Sequence, residues 1–237
     1  STNLAHGLAL RGQQVLALDL DPQGHLTASL GMAATRAGMD QVLLDSQSIR
    51  SHMQPARNQL ALVSAGPSLR EFENLERSGS ERGWWLNEAL YELQTDGQQP
   101  QPDWVVIDCP PMSGLLVMNA LLAADDILIP VTCDFLSLQG LSTLMQTLQR
   151  VEEKLKAPSR KWLVLARYQL RRRLSKEVGG TLRQHFPGHL LQTAIRENVA
   201  LAEAPGFGQS VFEYQRNSHG AQDYQALIDD LVQQRVH

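Results

Sequence analysis

The stretch Val15-Leu16-Ala17-Leu18-Asp19-Leu20-Asp21-Pro22-Gln23-Gly24, residues 15–24, decides the fold. Its first six residues are apolar except Asp19, and the run is continuous rather than alternating. Such a pattern predicts a strand buried on both faces of a parallel sheet. Pro22 and Gly24 then turn the chain. In an open α/β sheet, ligands bind outside the carboxyl ends of the strands. Asp19 and Asp21, two residues apart at such an end, project the same way because strand side chains alternate with period two. Paired acids on a rigid strand-end turn suit a hydrated Mg²⁺ or an attacking water near phosphates. Alone, an Asp-x-Asp-Pro string is more often a solvated acidic turn, so the rest of the chain must carry the argument.

Outward from this strand, similar runs recur at Leu60 to Ser64, Trp104 to Ile107, Ile127 to Val131 and Trp162 to Ala166, with weaker candidates at Leu190 to Ile195 and Val211 to Phe212. Helical patterns fall between them, at Leu4 to Arg11, Gly114 to Ala124, Leu138 to Leu155, Leu174 to His185 and Ala221 to Arg235. Gly12 reads as a helix stop. Strands alternating with helices predict an α/β fold with a doubly wound, mostly parallel sheet flanked by helices. Residues 1–237 read as one domain. The polar, Gly- and Ser-containing stretch Gly66 to Arg82 is expected to be a mobile excursion.

Composition narrows the classes. The 237 residues are 43% hydrophobic and 19% charged, with a net charge of -4. A grip on nucleic acid must therefore come from a local basic patch or from two patches in a dimer. Two cysteines, Cys109 and Cys133, suit reduced thiols rather than a disulfide framework. No apolar run reaches the ~18 residues of a membrane span, and no signal-peptide pattern opens the sequence, so a cytoplasmic protein is expected. The seven histidines lack metal-ligand spacing, and Trp84 and Trp85 read as core or interface residues.

Three strings resemble the ParA/Soj partition ATPases, which belong to the deviant-Walker-A (SIMIBI) branch of P-loop NTPases. VLALDLDPQGHLTASLG, residues 15–31, is similar to the family's second nucleotide motif. Val105-Val106-Ile107-Asp108-Cys109-Pro110-Pro111 resembles its Walker B and switch II segment. Asn198-Val199-Ala200-Leu201-Ala202-Glu203-Ala204-Pro205 resembles its adenine-side loop. The resemblance implies ATP and Mg²⁺ as ligands. It makes Asp21 the residue that positions the hydrolytic water, Asp19 its partner in orienting the magnesium shell, and Asp108 the holder of a Mg²⁺-bound water. Pro110 and Pro111 would stiffen the switch, although a Pro-Pro after a strand is also a simple loop stop. Asn198 and Pro205 would line the nucleotide, and Ser113 with Gly114 would cap the following helix.

The family's phosphate loop, KGGVGKT, is expected before Ser1, in about 15–25 further residues of strand and loop. The 237 residues alone are accordingly expected to bind ATP weakly. A second departure is at Ala200, where the family pattern Ile-Pro-Arg-Asn-Val-Arg carries an arginine that contacts DNA in several relatives. The basic run Arg171-Arg172-Arg173 with Lys176, together with Arg196, is the remaining candidate for non-specific phosphate contacts, and a solvated helix start is the alternative.

The resemblance thus implies an ATPase that dimerises with ATP, binds nucleoid DNA and is released when a ParB-like or cargo adaptor stimulates hydrolysis. A membrane-surface regulator of MinD type is disfavoured by Asp229 and Asp230 in the closing helix. An amidoligase or an iron-protein reductase, and a nucleotide-free scaffold, are the other readings. The cargo is open.

Overall fold

The computed structural model describes residues 1–74, 83–111, 114–155 and 159–237. Among these, the architecture is mixed α/β with mostly parallel strand pairing and flanking helices. Two compact units emerge, one of residues 1–123 with 203–214 and one of residues 124–202 with 215–237. The expected helix cap at Ser113, and the part of the expected excursion from 75 to 82, lie outside the described residues.

In the first unit, helix α1 (Thr2–Ala9) leads into β1 (Val15–Asp19), every residue of which is buried. The reason is its position: β1 pairs in parallel with β3 (Leu60–Val63) on one side and β4 (Trp104–Asp108) on the other. Helices α2 (His25–Ser29) and α3 (Met39–Leu44) follow β1. The edge strand β2 (Gln54–Arg57) runs antiparallel to β3, giving the order β2-β3-β1-β4. Pro55 of β2 sits where a missing backbone donor does least harm. The core gathers Leu16 and Leu18 from β1 with Met39, Leu43, Leu69, Phe72, Leu86 and Leu116.

Helix α4 (Leu69–Glu73) corrects one expectation. The first part of the stretch read as a mobile excursion is a helix whose Leu69 and Phe72 are fully buried. Asp40, itself fully buried, gathers this region by accepting bonds from Gly38 N, Gln41 N and Ser68 N. Helix α5 (Trp85–Thr95) buries Leu86, Leu90 and Leu93, and Trp85 meets Phe72 edge to face with ring centroids 5.6 Å apart. Helix α6 (Leu115–Ala123) packs beside α5, and its buried Asn119 side chain accepts Leu86 N at 3.0 Å.

The second unit is built on β5 (Asp126–Thr132) and β6 (Arg160–Ala166), parallel and in continuous register from Asp126↔Arg160 to Thr132↔Ala166. Its helices are α7 (Phe135–Leu155), α8 (Arg173–His185) and the start of α9 (Val199–Glu203). After α10 (Val211–Tyr214), the chain closes with α11 (His219–Gln233). Trp162, Val164, Leu191, Ile195 and Leu227 form this unit's core. The weak strand expected at Leu190 to Ile195 contributes only isolated bridges, such as Leu163↔Leu190.

Val211 and Phe212, expected as a strand, instead begin α10. The cause is local bonding at the helix start: Ser210 N donates to the Glu213 carboxylate at 2.9 Å, while Glu213 N closes the first turn onto the Ser210 backbone carbonyl. This returning segment belongs to the first unit. Asn3 Oδ1 accepts Val211 N, Arg57 forks onto Glu213, and His6 Nδ1 lies 2.7 Å from Ser210 Oγ.

Burial pushes the His6 ring below its ordinary pKa, with the Glu213 carboxylate opposing and the Arg57 cation adding to the shift. Burial works to raise Glu213, but the bonds from Arg57 and Ser210 N outweigh it and hold this carboxylate low. Folded His6 therefore resists a proton that the unfolded chain accepts. Its stability contribution is complete above about pH 6.5 and falls as pH drops through that value. Urea unfolding between pH 8 and pH 5 should show a shallower acid-side loss for His6→Gln than for the wild type. Parallel curves would contradict this role for His6.

Candidate active site

The site grows from the ladder between β1 and β4. Asp19 and Asp108 are register partners at the carboxyl ends of these neighbouring strands, and Leu20 N extends the ladder by donating to Asp108 O at 2.9 Å. The turn beyond β1 is set by Gly24, whose φ of 67° is the left-handed conformation that glycine adopts without strain. Asp21, 7% exposed, accepts Gln23 N at 2.9 Å through Oδ1, and its Oδ2 faces His25 Nδ1 at 3.1 Å.

Asp19 is fully buried, and its oxygens are occupied by the chain itself. Oδ2 accepts Thr27 Oγ1 at 2.6 Å and Thr27 N at 2.9 Å, and Oδ1 accepts Asp21 N at 3.3 Å. Burial pushes its carboxyl above the usual range, the Thr27 bonds oppose this, and the nearby Asp108 charge adds to the rise. Asp19 thus braces the turn that holds Asp21. Asp108 accepts a hydrogen bond from the Ser1 hydroxyl.

A cavity of about 350 Å³ opens beside this turn. Asp21, Pro22 and Gln23 form one wall, and Pro110 and Pro111 another. Arg70, Glu73 and Leu116 complete the lining. Sequence reasoning misses Thr27, Arg70 and Glu73. Thr27 is legible only as part of the matched string. Arg70 and Glu73 sit one helical turn apart on α4, in a stretch whose polarity hides the helix.

The nucleotide-side candidates fall in different places. Pro205 is exposed in a 3-10 turn, Ala204–Phe207, of the first unit. Gly208, which follows that turn, approaches Gly31 so closely that a Cβ on Gly208 would lie 2.5 Å from Gly31 Cα. Asn198, in the second unit, caps α9 by accepting Ala200 N at 2.9 Å. Ala200 is buried, so this position presents no side chain to a phosphate.

Among the basic candidates, Arg171, Arg172, Arg173 and Lys176 are exposed at the start of α8, with Arg173 reaching Glu177 at 2.7 Å. Arg196 corrects the sequence expectation. Its guanidinium forks onto the buried Asp223, with Nη2 at 2.6 Å and Nε at 3.0 Å, and its backbone N–H donates to the same carboxylate. That bonding, led by the Asp223 hydrogen bond, holds its pKa above the ordinary arginine value. Arg196 is a structural cation tying the loop after Ile195 to α11.

Among the described residues, no group of three His, Cys, Asp or Glu side chains forms a metal cage. Asp21 and Asp108 are the carboxylates near the turn that could hold, through water, a Mg²⁺ that keeps most of its shell, since this ion binds through one or two carboxylates plus substrate phosphates.

Residues 1–160 match the family model described as AAA domain. The chain is 32% identical over 234 residues to the chromosome partitioning protein ParA of Caulobacter vibrioides, covering 97% of this chain and 86% of that one. It is 33% identical over 240 residues to the cell division protein PomZ of Myxococcus xanthus, covering 100% and 74%. Among solved structures, cobyrinic acid a,c-diamide synthase from Mycobacterium smegmatis, with a bound ATP analogue and magnesium, superposes with a TM-score of 0.81 at 26% identity, covering 98% of this chain and 86% of that one.

Thr27→Val removes the hydroxyl that Asp19 accepts while keeping the side-chain shape. Leaving part of a buried carboxylate unbonded should destabilise the fold by about 1–3 kcal/mol. Urea denaturation measures this, and an unchanged midpoint would show that Asp19 does not need the bond.

Proposed function

The chain belongs to the ParA family of partition ATPases, and from that premise we propose that it is a nucleotide-switched positioning ATPase acting on DNA or another large cargo. The observation that supports this best is the pairing of Asp19 with Asp108 at adjacent strand ends, with Asp21 two residues further on in the wall of a cavity that Pro110 and Pro111 also line. Mg²⁺–ATP, when bound, supplies the phosphoanhydride bond and the metal charge.

In this reading each residue has a distinct task. Asp21 orients the attacking water, and the bond from Gln23 N keeps its buried carboxylate fixed. Asp108, at the end of β4, would hold the metal through a water. Asp19 acts indirectly, keeping the Asp21 turn in place through Thr27. Pro110 and Pro111 limit the backbone freedom of the segment that senses the phosphate. Pro205, exposed in its turn, is the nucleotide-side residue of the same unit as Asp21. Positioning the water and the charges in this way is most of what phosphoryl transfer asks of a protein.

The cycle proposed is an ATP-dependent homodimer that holds non-specific DNA and lets go on hydrolysis, with a ParB-like or cargo-adaptor protein as the stimulant. Such a switch works because nucleotide state biases loop conformation. The exposed Arg171, Arg172, Arg173 and Lys176 are the proposed phosphate contacts, giving a nucleoid-associated cytoplasmic protein. The similarities to a chromosome-partitioning and to a cell-division protein leave several cargoes compatible with the same site.

Two experiments on the full-length protein test this reading. Asp21→Ala should retain ATP binding and lose turnover by about 100-fold or more; undiminished hydrolysis would remove Asp21 from its role. Binding to random-sequence DNA should require ATP and weaken steeply with salt. Replacing Arg171, Arg172 and Arg173 with Ala should lower the salt slope by about 1 for each phosphate no longer neutralised. Binding that is indifferent to ATP would contradict the nucleoid-holding cycle.

A further inference from the structure

We propose that Glu73 is a positioning residue for ATP hydrolysis, fixing the start of α6 beside the Asp21 cavity by capping it from α4. The inference rests on the ATPase reading above.

Helix α6, Leu115–Ala123, carries no acidic residue in its own first turn. The anion that its N–H groups and dipole favour comes instead from α4, well upstream in the chain. Glu73 Oε2 accepts Leu115 N at 2.8 Å, and Oε1 accepts Leu116 N at 3.0 Å, so both oxygens of one carboxylate are used. Gly114 leaves the space for this approach, since a Cβ there would lie 2.2 Å from Glu73 Oε2. The carboxylate fills that space.

Both ends of the bridge are anchored. Phe72, beside Glu73, and Leu116, whose N–H donates one of the bonds, are fully buried in the same core cluster. A carboxylate bonded to two N–H groups between two such anchors transmits position rather than merely touching. Its placement in the sheet gives it a task. Helix α4 follows β3 and α6 follows β4, while β1 runs between those two strands and leads directly to Asp21. The Glu73 bridge therefore ties together the elements on either side of the Asp21 turn. It borders the same cavity as Asp21, Pro110 and Pro111. The bridge thereby fixes Gly114 and the start of α6 beside that cavity. Glu73 touches no reacting atom and acts by holding α4 and the start of α6, which both border the cavity that Asp21 lines.

A misplacement of about 1 Å in a catalytic constellation costs up to about 100-fold in rate, and supporting residues usually affect turnover more than ground-state binding. The test measures kcat and KM for ATP hydrolysis by the full-length protein as wild type, Glu73→Ala and Glu73→Gln. Thermal unfolding without nucleotide and amide exchange at Leu115 and Leu116 accompany the kinetics. The expected result is a fall in kcat of about 10- to 100-fold for Glu73→Ala with KM within about twofold. Glu73→Gln keeps one acceptor and sets its NH₂ against the second N–H, so its kcat should lie between the two. Should the alanine variant fail to fold, the glutamine variant carries the test, since it keeps the shape and half the cap. Faster exchange at Leu115 and Leu116 with kcat unchanged would overturn the proposal, showing a purely structural cap. A wild-type protein without ATP hydrolysis would instead overturn the ATPase reading itself, and the Glu73 role would fall with it.

Discussion

The parallel ladder between β1 and β4 is the constraint on which the rest depends. It sets Asp19 beside Asp108 at the same level of the sheet, at the end where open α/β folds bind ligands. Two neighbouring acids at a sheet end repel one another, and burial penalises the charge of Asp19. The chain answers this at Asp19 with three donors, two of them from Thr27. Those bonds also determine the path of residues 20–27, since Thr27 lies in the first turn of α2 and Asp19 at the end of β1. Asp21 is carried on this braced loop, so its direction follows from bonds made by residues on either side of it. A carboxylate held in this way loses little freedom when a substrate arrives.

The return segment makes a second use of the same physics. Residues 203–214 join the first unit through Asn3, His6 and Arg57, and each of these bonds links positions far apart in sequence. Arg57 illustrates the density of bonding: it donates to Glu213, to Leu30 O and to Gly208 O. The close pass of Gly208 over Gly31 places the Pro205 turn against the end of α2, which is the helix that begins with His25 and contains Thr27. The acidic turn and the Pro205 turn are therefore parts of one packed assembly, whereas Asn198 belongs to the other unit.

The sequence is a good guide wherever information is local. Val15 to Leu20 and Trp104 to Ile107 read as buried parallel strands because apolar β-branched and leucine side chains dominate both runs, and both strands stand at those places. The amphipathic repeats mark α7, α8 and α11 to within a few residues. Local propensity misleads at Val211 and Phe212, where the bond from Ser210 N to the Glu213 carboxylate helps start a helix in place of two strand-forming residues. It also misleads at Leu69 to Glu73, since polar neighbours conceal a helix whose only apolar residues, Leu69 and Phe72, are both buried. Side-chain partnerships between distant elements are not legible at all. No spacing rule links Arg196 to Asp223 or Glu73 to Leu115, because the fold alone brings them together. This is why an arginine near a basic run reads as a phosphate contact and proves to be committed to a buried carboxylate.

The central claim is that Asp21 and Asp108 share one nucleotide-bound metal at the ends of β1 and β4. An experimental structure of the full-length protein with Mg²⁺ and a non-hydrolysable ATP analogue examines this most directly. The metal is expected off the carboxyl ends of these two strands, with Asp108 and Asp21 each reaching its shell through water and Pro110–Pro111 alongside the phosphates. A nucleotide seated elsewhere, with both carboxylates turned to bulk solvent, would contradict it.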